Sequence, residues 1–200
     1  GDVILRKDNA WLKFTVPRRV IVTEKLDEVR NSLEEVERLV NENGWTAAGF
    51  VSYEASPAFD RALRVISSKD GFPLLWFGLY ETSETIDSLE DYGTLLPLEW
   101  RPDIDRESYN NAIQSIKNQI AQGKTYQVNY TMRLSTDIKA YQQREIDLQA
   151  LQLFRHLTHS QNKYAAFLDI GSWAICSASH ELFFDLDDDT ITGRPMKGTI

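Results

Sequence analysis

Two side chains near the end of the chain could work as a chemical pair. The sequence closes on ITGRPMKGTI (191–200), where Pro195 restricts the backbone before Lys197 and Gly198 frees it afterwards. Such a frame presents one side chain at a defined angle. Upstream, ASHELFF (178–184) carries Glu181. A lysine is a nucleophile only as the neutral amine, and with an ordinary pKa near 10.4 only about one part in a thousand is neutral at pH 7.4. Desolvation or a second cation must lower that pKa. Arg194, three residues upstream of Lys197, could supply the repulsion or bind a substrate carboxylate. Glu181 would complete an acid/nucleophile pair, protonating a leaving group. The alternative is a cross-strand salt bridge at a sheet edge, worth ~1 kcal/mol or less.

The pair can meet only if the chain between its members folds back. ELFFDL and TITGR, separated by the acidic run Asp187 to Asp189, read as a hairpin. The turn is Asp187-Asp188 or Asp188-Asp189, which sets Glu181 opposite Arg194 or Met196. Strands lie about 4.8 Å apart and rise about 3.3 Å per residue, so either register keeps a carboxylate and an amine within a small substrate's length. KYAAFLD and SWAICSA precede the hairpin and extend it into a β-meander.

Further upstream, LKFTVPRRVIVT (12–23) reads as two short strands or one broken at Pro17. Leu26, Val29, Leu33, Val36 and Val40 recur at helical spacing and predict an amphipathic helix stopping near Gly44. AAGFVSYEA (47–55) and LLWFGLY (74–80) are dense apolar runs of buried-strand type, and the acidic, irregular segment 81–105 reads as a linker or excursion. Asp105 is a natural N-cap for a helix that places Tyr109, Ala112, Ile113, Ile116 and Ile120 on one face and closes at Gly123. In TYQVNYTMRLS, Tyr126, Val128, Tyr130, Met132 and Leu134 alternate with Gln127, Asn129, Thr131 and Arg133. That period of two predicts a strand whose polar face is either solvated or the wall of a site. A third helix runs from about Arg144 to His159 with Leu148, Leu151, Phe154 and Leu157 inward. Helices and antiparallel strands in this order indicate an α+β fold.

Composition narrows the function. With 22 basic and 30 acidic residues the net charge is −8, and no basic cluster tracks phosphates, which argues against nucleic acid as a partner. Cys176 is the only cysteine, so neither an intrachain disulfide nor a cysteine-based metal site can form. No apolar run approaches membrane-spanning length, and the reading is a cytoplasmic protein without a membrane partner. His156 and His159 share a helix face but lack an evident third metal ligand nearby.

Four blocks, GFVSYEA (49–55), GKTYQVNYTMRL (123–134), ASHELFF (178–184) and RPMKGT (194–199), resemble in order and spacing the chorismate-utilising enzymes. They are most similar to the 4-amino-4-deoxychorismate synthase branch, because the anthranilate branch generally reads Pro-Ile-Ala-Gly-Thr where this chain has Pro195 to Thr199. The resemblance implies an antiparallel β-sandwich with outer helices, of the anthranilate synthase component I type. It implies amination of chorismate at C4 with ammonia from a glutamine amidotransferase subunit or domain, in para-aminobenzoate and folate biosynthesis. Lys197 and Glu181 would be the catalytic residues, with Arg194, Gly198 and Thr199 binding substrate. It also implies Mg²⁺, whose ligands are expected beyond residue 200. The family continues past this box, so 1–200 is expected to be the N-terminal portion of a single chorismate-binding domain without its C-terminal half, inactive alone and with open sheet edges. Two positions depart from the family pattern: His180 stands where Ser-Pro-Glu has proline, and Gly193 where a threonine commonly precedes Arg-Pro. The rival readings are an anthranilate or isochorismate/salicylate synthase component, and a non-catalytic relative that docks a glutaminase.

Overall fold

The structure is a computed structural model describing residues 1–66, 70–91, 93, 97–137, 143–159 and 163–195, with side chains of 143–147 excepted. In chain order its elements are β1 (Val3–Lys7), β2 (Ala10–Phe14), β3 (Arg19–Thr23), a 3-10 turn (Leu26–Glu28), α1 (Val29–Asn43), β4 (Thr46–Val51), a second 3-10 segment (Tyr53–Ala58), β5 (Leu75–Tyr80), β6 (Glu84–Ile86), β7 (Arg101–Pro102), α2 (Arg106–Ala121), β8 (Leu134–Ser135), α3 (Gln143–Thr158), β9 (Tyr164–Asp169), β10 (Ala174–Ser179), β11 (Leu182–Asp187) and β12 (Thr190–Arg194). The fold is mixed, and every described strand pair is antiparallel. The chain divides into two compact units, Gly1–Leu95 with Asp147–Ile200, and Leu96–Ile146.

The first unit contains a sheet ordered β10-β9-β1-β2-β6 and another ordered β3-β5-β4. Alternation along single strands explains how they stack. In β1, Val3 joins Phe14, Ala48, Trp76, Tyr80 and Leu168 between the two sheets, whereas its neighbour Ile4 joins Trp11, Ala150, Phe154, Ala165 and Phe167 beneath α3. In β5, Trp76 and Tyr80 face the other sheet, while Leu75 and Leu79 pack with Val29 and Val36 of α1. Successive side chains point to opposite faces, so one strand serves two cores. The result is two sheets face to face, with a helix on each outer side. Gly44 ends α1 at φ 67, a left-handed conformation that glycine adopts at little cost. Gly49 is required where β4 meets β5, because a Cβ there would collide with the backbone of Trp76 and Phe77.

Four expectations need correction, three of them in this unit. GFVSYEA is a strand only to Val51, after which the chain turns into the 3-10 segment. In α3 Phe154 is inward as expected and Leu151 packs partly buried against the same core, but Gln149 and Ala150 take the other buried places while Leu148 and Leu157 are 43% and 38% exposed. The meander is interrupted, since β11 and β12 form a two-stranded sheet of their own, apart from β9 and β10. The chain changes sheets at His180-Glu181.

In the second unit α2 forms as its sequence predicts. Asp105 accepts a hydrogen bond from the Ser108 N–H at 2.7 Å, which caps the helix. The expected strand over TYQVNYTMRLS does not form along its length, and among the described residues only Leu134 and Ser135 pair, with Pro102 and Arg101. A strand needs a neighbour to satisfy its backbone and a layer to cover its apolar face. Here β7 offers two residues, and Tyr126 remains 92% exposed.

Candidate active site

Of the residues singled out for chemistry, Glu181 lies where the first unit changes sheets. β10 is paired with β9 up to Ser179, which stands opposite Tyr164. The Ser179 hydroxyl then donates to the Glu181 carbonyl at 3.0 Å and accepts from the Glu181 N–H at 3.2 Å. Glu181 sits immediately before β11. At the far end of the hairpin Asp187 pairs with Thr190, so the two-residue turn is Asp188-Asp189, with Asp188 at φ 49. Aspartate is among the residues that tolerate this conformation best.

The hairpin does not keep that register. Asp185 stands opposite Thr192 but Leu182 opposite Arg194, so Phe183 and Phe184 together face Gly193 in a bulge. A Cβ at Gly193 would lie 3.4 Å from the Phe183 carbonyl oxygen, an ordinary contact, so the bulge does not itself demand glycine there. The tip thus follows the second of the two registers read from the sequence, while the bulge shifts the end that carries the chemistry. Glu181 precedes the Leu182–Arg194 rung, so the structure brings Glu181 and Arg194 to one end of the hairpin, both exposed. Lys197, Gly198 and Thr199 lie outside the described residues.

Other candidates are placed as follows. The alternating polar residues of the second unit form local contacts: Gln127 Nε2 donates to Asn129 Oδ1 at 3.3 Å, and the Arg133 N–H to Asp103 Oδ1 at 3.0 Å. An apolar cleft of about 260 Å³ opens beside the start of α2, between Ile104, Tyr109, Met132 and Leu134. His159 and His156 belong to no cluster able to hold a metal. Among the described residues no group of three or more His, Cys, Asp or Glu is so placed. Cys176 donates from Sγ to the Ala150 carbonyl at 3.3 Å, and burial pushes its thiol up to about 11, which keeps it from acting as a thiolate nucleophile near neutral pH.

Sequence reasoning missed two features. Arg6, Asp8, Asn9, Trp11, Thr158, His159 and Lys163 line a polar cleft of about 420 Å³, with Arg6 over the Trp11 ring at 4.8 Å. No local motif pointed there, because its residues come from distant parts of the chain. The role of Ser179 also went unread, although a serine bonded to the main chain two residues on is a local pattern its type allows. Among the described residues no helix is long and apolar enough to cross a membrane.

A family profile described as chorismate binding enzyme matches residues 91–200. Anthranilate synthase component 1 of Pseudomonas putida is 34% identical over 102 residues, covering 50% of this chain and 19% of that protein. Aminodeoxychorismate synthase component 1 of Klebsiella aerogenes is 29% identical over 102 residues, covering 50% and 21%. The Escherichia coli (strain K12) protein of the same name is 28% identical over 119 residues, covering 59% and 24%. The chain spans about a fifth of the length of the curated relatives it matches. The matched stretch takes in the whole second unit and both strands of the hairpin that follows Glu181, and on that match over more than half its length the chain belongs to the chorismate binding enzyme family.

Proposed function

We propose that this chain is part of an enzyme that aminates chorismate at C4 to give 4-amino-4-deoxychorismate, with ammonia from a glutamine amidotransferase subunit or domain. Relatives of both the anthranilate and the aminodeoxychorismate type match at similar identity, so overall similarity does not choose between them. The observation that carries the choice is Lys197 within Pro195-Met196-Lys197-Gly198-Thr199, inside the family-matched span. An amine at that position can add to the ring, whereas the alanine of the anthranilate pattern cannot.

In this reading the neutral Lys197 amine adds to C2 of chorismate, both double bonds of the ring diene shift by one position, and the C4–O bond breaks as Glu181 donates a proton, releasing water. Ammonia then attacks C4, both double bonds shift back, the C2–N bond breaks to return Lys197 as the neutral amine, and the proton that ammonia loses restores the Glu181 carboxyl. One hard substitution becomes two allylic displacements, and the acid avoids a hydroxide leaving group. Arg194 binds a substrate carboxylate, the task for which a planar guanidinium is suited. Gly198 and Thr199 supply further substrate contacts. Bringing Glu181 and Arg194 to one end of a hairpin is compatible with these roles. Mg²⁺ belongs to the proposal only as a group held elsewhere, and no step is assigned to it here. The complete enzyme would have the antiparallel sandwich with outer helices of the anthranilate synthase component I type, of which these residues form a part.

The test is to incubate the complete gene product with chorismate, ammonium and Mg²⁺, and to identify products by chromatography with mass detection. Aminodeoxychorismate from the wild type and none from Lys197→Ala is the expected result. Anthranilate or isochorismate as product, or aminodeoxychorismate formed undiminished by Lys197→Ala, would overturn the assignment.

A further inference from the structure

We infer that Ser179 is a positioning residue for the Glu181 carboxylate, an inference that rests on the reading of Glu181 as general acid. One hydroxyl here uses both of its capacities on the same residue, accepting the Glu181 N–H at 3.2 Å and donating to the Glu181 carbonyl at 3.0 Å. A hydroxyl can do both because it has one donor and two acceptor lone pairs. Ser179 is itself the last rung of β10, opposite Tyr164. Its hydroxyl therefore ties the main chain of Glu181 to the five-stranded sheet, whose central strands β9 and β1 contribute the buried residues Phe167, Leu168, Val3 and Ile4.

On the other side Glu181 is followed at once by the Leu182–Arg194 rung of a different sheet. Only His180 and Glu181 span the step between the two ladders. Two residues leave four soft backbone dihedrals, and these decide where the Cα–Cβ bond of Glu181 points. The hydroxyl restrains that freedom from the β10 side, and the bulge at Phe183-Phe184 sets where Arg194 stands on the other. A general acid must come within about 2.6–3.2 Å of the oxygen it protonates. Ser179 makes no claim on the substrate; its work is to hold the acid at that reach.

The experiment uses the complete gene product and follows chorismate consumption with ammonium and Mg²⁺, a readout that does not depend on which product forms. Ser179→Ala, Ser179→Thr and Glu181→Gln are compared with the wild type. The expected result is a kcat lowered about 10- to 100-fold by Ser179→Ala, the scale of a displacement of about 1 Å. KM for chorismate should stay within about twofold, because the lost interaction acts in the transition state. Ser179→Thr, which keeps the hydroxyl, should recover most of kcat. Wild-type kcat in Ser179→Ala alongside an inactive Glu181→Gln overturns the positioning role alone. A loss that Ser179→Thr does not recover also overturns it, since the hydroxyl is then not the cause. Normal turnover by Glu181→Gln overturns the general-acid reading beneath it, and is told apart by that variant.

Discussion

Replacing Phe154 by alanine should be the most costly single truncation on the α3 side of the larger unit. The ring is fully buried, edge-on to Trp11 at 5.6 Å and 73°, and 5.6 Å from Phe167 at 45°. It is also the side chain through which α3 seats on the sheet, amid Ile4, Ala150 and Ala165. Removing a buried phenyl ring costs about 3–5 kcal/mol when transfer and cavity contributions are taken together, and the two ring pairs account for ~0.5–1.5 kcal/mol each within that. With a urea dependence of about 2 kcal/mol/M, a loss of ~4 kcal/mol moves the midpoint down by ~2 M. Urea titrations followed by far-ultraviolet circular dichroism would measure it. Leu148→Ala is the internal control, because spacing alone places Leu148 on the same inward stripe while the structure leaves it 43% exposed. Its expected cost is under about 1 kcal/mol. Equal costs for the two variants, or less than ~1 kcal/mol for Phe154→Ala, would refute the seating of α3 on this sheet.

Two further outcomes are expected. The Ser108 backbone N–H, helped by the Ser108 hydroxyl, holds the Asp105 carboxyl below the usual carboxylate range, so its stabilisation of α2 is present above the ordinary pKa and is lost as pH falls through the lowered one. Asp105→Ala should therefore reduce hydrogen-exchange protection in the first turns of α2 at neutral pH, with the difference from wild type vanishing in acid; a difference that grows as pH falls would contradict the cap. The Cys176 thiol, pushed up to about 11 by burial, should alkylate slowly with iodoacetamide at pH 8 and rapidly once urea exposes it. Fast labelling of the native chain would show that β10 is not covered as described.

Much of the fold was legible because it depends on local rules. The helical spacing of Val29 to Val40 and the stop at Gly44 gave α1, and Asp105 gave the start of α2. LLWFGLY gave a buried strand because a dense apolar run of that length has few other uses, and KYAAFLD gave a strand of the meander. The pattern over 125–135 misled, since alternation records what a strand would do with a partner, not whether a partner is present. Leu148 and Leu157 misled in the same way. Periodicity marks an apolar stripe, but which edge of it is covered depends on how the helix lies against the sheet.

The candidate site divides along the same line. From the sequence alone came the chemically capable residues, Glu181, Arg194 and Lys197, the hairpin that relates them, and the resemblance that the family match bears out. These are properties of residue type, spacing and turn chemistry, and they need no knowledge of the rest of the chain. Only the tertiary structure decided that β10 and β11 belong to different sheets, that a bulge against Gly193 moves Arg194 opposite Leu182, and that the Ser179 hydroxyl holds the main chain of Glu181. The change of sheet follows from which backbone groups find partners across the fold, a competition settled between segments distant in sequence, whereas the bulge and the Ser179 bonds are local geometries that residue type permits but does not dictate.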